Sequence, residues 1–224
     1  MNKKEQFIKK LKSAKISKRT IQCFEAVDRP EFFDRSFRKE AYETPVIQIG
    51  HGQTSDDPVI LAKMIDLLGI KKNAGVLEVG TGSGYSTAIL SRLASRMTTV
   101  EYIEKLAIEA KTRLTKYGAD SISFLSGDAT EIGGAKKKFD AVIILAACRL
   151  TPQLIIDILV PGGVAVFPMG PSHQQRIVRY VRNDRAADPL KNYEFHDYCL
   201  FDSIRGPYGW KDQLEGYFAD DSGE

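Results

Sequence analysis

Residues 75–85 read Gly75-Val-Leu-Glu-Val-Gly-Thr-Gly-Ser-Gly-Tyr85, and the fold follows from them. Val76, Leu77 and Val79 make a short apolar strand. Gly80, Gly82 and Gly84 then permit a tight turn and a close backbone approach to a ligand. After Tyr85 the pattern turns helical, with Ala88, Ile89 and Leu93 at spacings of three or four. The unit is strand, glycine turn, helix. Such a turn aims backbone N–H groups past the strand end.

The neighbouring stretches extend this unit into a sheet. Met97-Thr-Thr-Val-Glu101 reads as a second strand closed by an acid. An acid there can bond both ribose hydroxyls of a nucleoside lying across the first turn. Residues 104–117 read as a helix. Ile122-Ser-Phe-Leu-Ser126 is a third strand, followed by Gly127-Asp128-Ala129. Phe139-Asp-Ala-Val-Ile-Ile-Leu-Ala-Ala147 is a fourth, a near-continuous apolar run that fits a strand covered on both faces. A helix over 151–159, a fifth strand through Leu159-Val-Pro-Gly-Gly-Val-Ala-Val-Phe-Pro-Met-Gly170, and strands near 175–182 and 194–201 complete the expectation. Upstream, 3–28 reads as two helices. Ile8 and Leu11 line the first, Ser17 caps the second, and Pro30 stops it. Phe32, Phe33, Phe37 and Tyr42 form an aromatic packing segment. A helix is expected over 59–68.

Composition narrows the class. A chain of 224 residues, 43% hydrophobic, fits one large α/β domain. The net charge of +3 decides little, and the lysines of the first 18 residues read as a solvated face. No apolar run reaches membrane-spanning length, and the start carries no signal-peptide pattern. Cys23, Cys148 and Cys199 are too scattered for a disulfide framework or a metal site, which points to a reducing, cytoplasmic setting. His51, His173 and His196 are too dispersed for zinc. No metal is expected. The last residues, 219–224, read as a disordered acidic tail.

The glycine spacing, with Glu78 inside the strand, resembles the first motif of S-adenosylmethionine-dependent methyltransferases. The nicotinamide pattern places its third glycine one residue later. A second segment is more specific: Ile49-Gly-His-Gly-Gln-Thr54, with Ala41-Tyr42, Pro45 and Pro58 around it, resembles the signature of the protein-L-isoaspartate O-methyltransferases. So do the fourth strand's end, the Pro-Gly-Gly turn and Phe201-Asp-Ser-Ile-Arg-Gly-Pro-Tyr-Gly-Trp210. The resemblance spans about 17–210. It implies an α/β fold: a single Rossmann-like doubly wound sheet, mostly parallel, with an antiparallel strand near one edge. Helices cover both faces, and an N-terminal helical extension is added. The expected domain is 1–218, with 1–58 lying over the active site and 59–218 forming the cofactor-binding core.

The resemblance also implies S-adenosyl-L-methionine as cofactor, held by Gln53, Glu78, Gly80, Thr81, Gly82, Ser83, Gly84, Glu101, Tyr102, Asp128 and Ala129. Asp128 would pair with the adenine amino group. The catalytic positions it implies, on the substrate side, are His51, Thr54, Ser55 and Asp56. The implied reaction is methyl transfer to the free carboxylate of isoaspartyl residues in damaged proteins. The implied enzyme is a cytoplasmic monomer whose partners are isoaspartyl proteins or peptides, without nucleic acid or membrane. One departure bears on this. The family pattern places its serine where this chain has Asp56, and Ser55 comes one residue early. Asp202 and Ser203 also depart, replacing Val-Pro. The alternative is a relative that methylates a different acceptor or retains only cofactor binding.

Overall fold

A computed structural model describes residues 2–118, 121–134, 138–186 and 188–210. The expected tail, 219–224, lies outside the described residues.

The chain begins with α1 (Lys3–Ser13) and α2 (Lys18–Ala26). Asn2 opens α1 with a reciprocal cap: its side chain accepts from the Glu5 amide at 2.8 Å, and Glu5 accepts from the Asn2 amide at 3.0 Å. Ser17 caps α2, as its sequence position foretold. The second helix ends at Ala26, before Pro30, which instead sits inside a following 3₁₀ turn, Arg29–Phe32. Then come a small hairpin of β1 (Gln48–Gly50) and β2 (Gln53–Thr54), and α3 (Pro58–Leu67).

The main sheet contains β3 (Gly75–Val79), β4 (Arg96–Glu101), β5 (Ile122–Ser126), β6 (Phe139–Ile144), β7 (Leu159–Met169), β8 (Gln175–Val181) and β9 (Tyr193–Cys199). Their order is β5-β4-β3-β6-β7-β8-β9. All pairs from β5 to β7 are parallel, while β8 runs antiparallel to both neighbours. The helices α4 (Tyr85–Leu90), α5 (Glu104–Leu114) and α6 (Gln153–Ile156) lie between strands in sequence. The chain lays β4 and β5 to one side of β3, then crosses to place β6 on the other. Open α/β sheets bind ligands at that reversal, beyond the carboxyl ends of the strands.

Two apolar clusters hold the layers together. In one, Phe7, Leu11 and Phe24 of the N-terminal helices join Leu61 and Met64 of α3 and Val76 and Ile143 of the sheet. In the other, Leu77, Val142 and Phe167 meet Ile155 and Ile156 of α6.

Three expected boundaries shift, each for a local reason. The helix expected over 151–159 is only Gln153–Ile156, because Leu159 pairs with Phe139 and enters the sheet. The fourth strand stops at Ile144. Beyond it, Ala147 bridges to Ser203 and Cys148 to Met169. The helix expected to Tyr117 is α-helical only to Leu114, and its last turn tightens to 3₁₀ before Gly118.

Candidate functional site

The turn after β3 carries the site. Gly80, Gly82 and Gly84 all have positive φ, at 94°, 52° and 89°, a conformation that strains any residue with a Cβ. At Gly82 a Cβ would also come within 3.3 Å of Ile49 Cδ1, so the β1–β2 hairpin rests directly on the glycine loop. The amides are less free than the sequence suggests. Gly80 N–H donates to Val100 O at 2.9 Å, Gly84 N–H to Thr81 O at 2.9 Å, and Gly82 N–H to Glu101 Oε2 at 2.9 Å. The loop is therefore fixed by its neighbours.

Glu101 ends β4 with both oxygens engaged: Oε1 accepts from Ile103 N–H at 2.9 Å. It is nearly buried, yet it lines the pocket. Each oxygen keeps lone-pair capacity for a hydroxyl donor.

Glu78 works one layer below. It is fully buried in β3. Its Oε2 accepts from Thr87 at 2.5 Å and from Thr99 at 2.6 Å, and Thr99 is hydrogen-bonded to Thr81 at 2.6 Å. That chain ties the glycine loop to β4 and α4. Burial pushes the Glu78 carboxyl up to about 7, against the opposing hydroxyls of Ser86, Thr87 and Thr99. Its Oε1 has no hydrogen-bond partner among the described residues.

A pocket of about 730 Å³ opens where the strand order reverses, a volume in the range of small-molecule sites. Of the residues singled out by sequence, it brings together Gln53, Thr54, Ser55, Asp56, Gly80, Thr81, Gly82, Ser83, Glu101, Tyr102, Asp128 and Ala129. His51, Glu78 and Gly84 are not in its wall. His51 sits at the exposed hairpin tip with φ 54°, its Nε2 3.3 Å from Glu109 of α5. Gly84 packs instead against Leu114 and Ala110 of α5. Asp128 Oδ1 accepts from the Thr130 amide at 2.8 Å.

The segment that leaves β2 divides its work. Ser55 is pinned: its Oγ accepts from Ile47 N–H at 3.0 Å and from Arg29 at 3.4 Å, while its own N–H donates to Ile47 O at 2.7 Å. Asp57 caps α3, accepting from Val59 and Ile60 at 2.7 and 3.2 Å. Asp56 faces the pocket. Its carboxyl is pushed up to about 7, first by burial, then by the negative charges of Glu78 and Asp202. Arg29 pulls the other way.

Sequence reasoning missed two groups. The first is Arg29, which is 1% exposed. Its guanidinium donates to the carbonyls of Ala41, Thr44 and Pro45 and lies over the Phe33 and Tyr85 rings. The second is the C-terminal wall of the pocket, from Phe201 to Arg205 with Trp210. Gln175 holds it in place: its Oε1 accepts from Phe201 N–H at 2.7 Å, and its Nε2 donates to Phe201 O at 3.2 Å. The resemblance at 201–210 marked that segment without assigning it a part in the site.

A sheet of this order, with a fixed glycine loop at its reversal point, is a Rossmann-like methyltransferase fold. A Plasmodium falciparum relative solved with S-adenosyl-L-homocysteine shares it, with a TM-score of 0.76 at 18% identity over 92% of this chain and 99% of that one. A protein-L-isoaspartate O-methyltransferase of Pectobacterium atrosepticum is 38% identical over 176 residues, 79% of this chain and 84% of its own. One from Sodalis glossinidius is 42% identical over 164 residues, 73% and 78% of the two chains. Residues 2–199 match the protein-L-isoaspartate(D-aspartate) O-methyltransferase family, and the chain belongs to it.

Proposed function

We propose that this protein transfers a methyl group from S-adenosylmethionine to the free carboxylate of isoaspartyl residues in damaged proteins, the first step of their repair. One observation carries the reading. In a chain of this family, the Ile49–Thr54 hairpin folds against the glycine loop, so signature segment and cofactor loop border one pocket.

The residues present fit that cofactor. A Cβ at Gly82 would be strained at φ 52° and crowd Ile49, Glu101 offers oxygens for ribose hydroxyls, and Asp128 with Ala129 stands at the next strand end. When bound, S-adenosylmethionine supplies an electrophilic methyl group on a positively charged sulfur. The chain's own residues bind, orient and shield. An isoaspartyl carboxylate is already ionised at pH 7, so no strong general base is required. Positioning and exclusion of water carry the rate. The glycine loop and Glu101 would hold the cofactor and offer its methyl group to a substrate carboxylate oxygen, the new C–O bond replacing the S–C bond and the electron pair going to sulfur.

The reading takes 1–218 as one methyltransferase domain, with 1–58 over the site and 59–218 as the cofactor core. It assigns a cytoplasmic monomer that acts on isoaspartyl proteins and peptides rather than on nucleic acid or membrane. Among the described residues no helix is long and apolar enough to cross a membrane, and no group of three metal-ligating side chains converges.

The test is methyl transfer from labelled cofactor to paired isoaspartyl and aspartyl peptides. Label should enter the isoaspartyl peptide alone and leave as methanol on standing, because such esters cyclise onto the next amide. Equal labelling of both peptides, or label stable to mild base, would overturn the reading.

A further inference from the structure

Ser55, Asp56 and Asp57 follow one another, and only the middle one lacks a structural task. Ser55 latches the loop to Ile47 and Arg29, and Asp57 caps α3. Asp56 lines the pocket, and no donor among the described residues meets its carboxyl. The chain's other acidic departure from its family pattern, Asp202, lines the same pocket from the segment after β9. Asp56 and Asp202 thus bring two acidic side chains to one cavity whose substrate, on the reading above, is itself a carboxylate.

We infer that Asp56 serves this site as a carboxylic acid: it keeps its proton in the complex and donates a hydrogen bond to the acceptor carboxylate of the substrate. The inference rests on the isoaspartyl reading above and names the residue that recognises the acceptor. The groups around Asp56 favour the protonated form. Glu78 on β3, Asp202 after β9 and Asp57 beside it are acidic, and Arg29 beneath the loop is the cation that opposes them. His173 and Arg205 also line the pocket, as do Glu101 and Asp128. Like charges brought into one site cannot all ionise, and burial adds to the penalty. An isoaspartyl carboxylate starts from the low pKa of a free carboxyl, so in the pair the proton rests on Asp56 and the substrate oxygen keeps its charge. A hydrogen bond between a carboxylic acid and a carboxylate is short and strong. The pinned Ser55 is left to hold the loop, and Asp56 supplies the donor.

The test is a pH study of the full chain saturated with S-adenosyl-L-homocysteine and titrated with an isoaspartyl peptide. Calorimetry at pH 8, in buffers of different ionisation enthalpy, should show close to one proton taken up per wild-type complex, and close to none for Asp56→Ser. In turnover, wild-type kcat/KM should fall about 10-fold between pH 6 and pH 8, as the protonated fraction of Asp56 falls. Asp56→Ser should be flat over that interval and faster than wild type at pH 8. Asp202→Asn should move the wild-type fall to lower pH. Peptide binding without proton uptake, or one pH profile shared by wild type and Asp56→Ser, would overturn the inference and leave the isoaspartyl reading intact. A protein that binds S-adenosyl-L-homocysteine but neither binds nor methylates isoaspartyl peptide at any pH from 5.5 to 8.5 would overturn both.

Discussion

The Gly82 amide donates to Glu101 Oε2 at 2.9 Å, so the glycine loop and the acid of the next strand are one unit before any ligand arrives. Ligand binding then need not spend free energy ordering either partner. The same contact makes Glu101 do two things: it holds the loop and it presents oxygens to the pocket.

Glu101→Ala should accordingly weaken cofactor binding by about 1–3 kcal/mol, the usual cost of losing charge-assisted hydrogen bonds. Glu101→Gln should fall between alanine and wild type. Calorimetry with S-adenosyl-L-homocysteine reads both. Unchanged affinity in the alanine variant would remove Glu101 from the cofactor site.

Glu78 and Asp56 give the fold a pH dependence. Both carboxyls are held up to about 7 in the folded protein, against ordinary values of 4.5 and 3.8. A raised carboxyl binds its proton more tightly when folded. Its stabilising effect is complete below the unfolded pKa and is lost as pH rises through the folded one. The thermal midpoint should therefore drop between pH 5 and pH 8, by on the order of 5 °C. Glu78→Gln and Asp56→Ser together should flatten most of that slope. A midpoint that rises over the same interval would contradict the assignment.

Arg29→Met should be costly although Arg29 is not part of the pocket wall. The change strips the cation from the carbonyls of Ala41, Thr44 and Pro45 and leaves them without their buried donor. A loss of roughly 3 kcal/mol or more is expected from urea unfolding, since hydrogen bonds to charged groups are worth about 1.5–3 kcal/mol each. Limited proteolysis should cut first within 41–56. A loss under about 0.5 kcal/mol, the range of an ordinary surface change, would mean the loop is held by other contacts.

His51→Ala separates hairpin from pocket. His51 is exposed, outside the pocket wall, and paired with Glu109. The substitution should leave cofactor affinity within about twofold and cost under about 1 kcal/mol of stability, as surface ion pairs do. His51→Gly should do better than alanine, because φ 54° suits glycine. A loss of turnover above about 100-fold, the scale of a lost acid–base group, would place His51 in the chemistry after all.

How much of this was legible in the sequence depends on range. The glycine loop, Glu101 and the capping of α2 by Ser17 are local, so spacing alone exposed them. Glu78 stood out as a charge in an apolar strand, but its layer could not be read. In a strand buried on both faces, alternation no longer tells pocket side from core side. Arg29 was invisible for a stronger reason. Lone arginines are nearly always solvated, and its burial depends on carbonyls 12 to 16 residues away folding back over it. The helix over 151–159 was shortened to Gln153–Ile156 for a similar cause. Its apolar spacing suited a helix, and pairing of Leu159 with Phe139 in the sheet prevailed.

The clamp between Gln175 and Phe201 bears on how the enzyme comes into being. The glycine loop, Glu101 and the Ile49–Thr54 hairpin are all synthesised in the first half of the chain. The wall opposite them is supplied by 200–210, with Gly206 seated against the Asp128 carboxylate. A chain stopped short of Phe201 has the glycine loop, Glu101 and the hairpin but lacks the wall that 201–205 and Trp210 supply. The pocket thus closes only after the loop, the hairpin and all the strands have been made, and truncation just before Phe201 should abolish ligand retention while sparing the sheet.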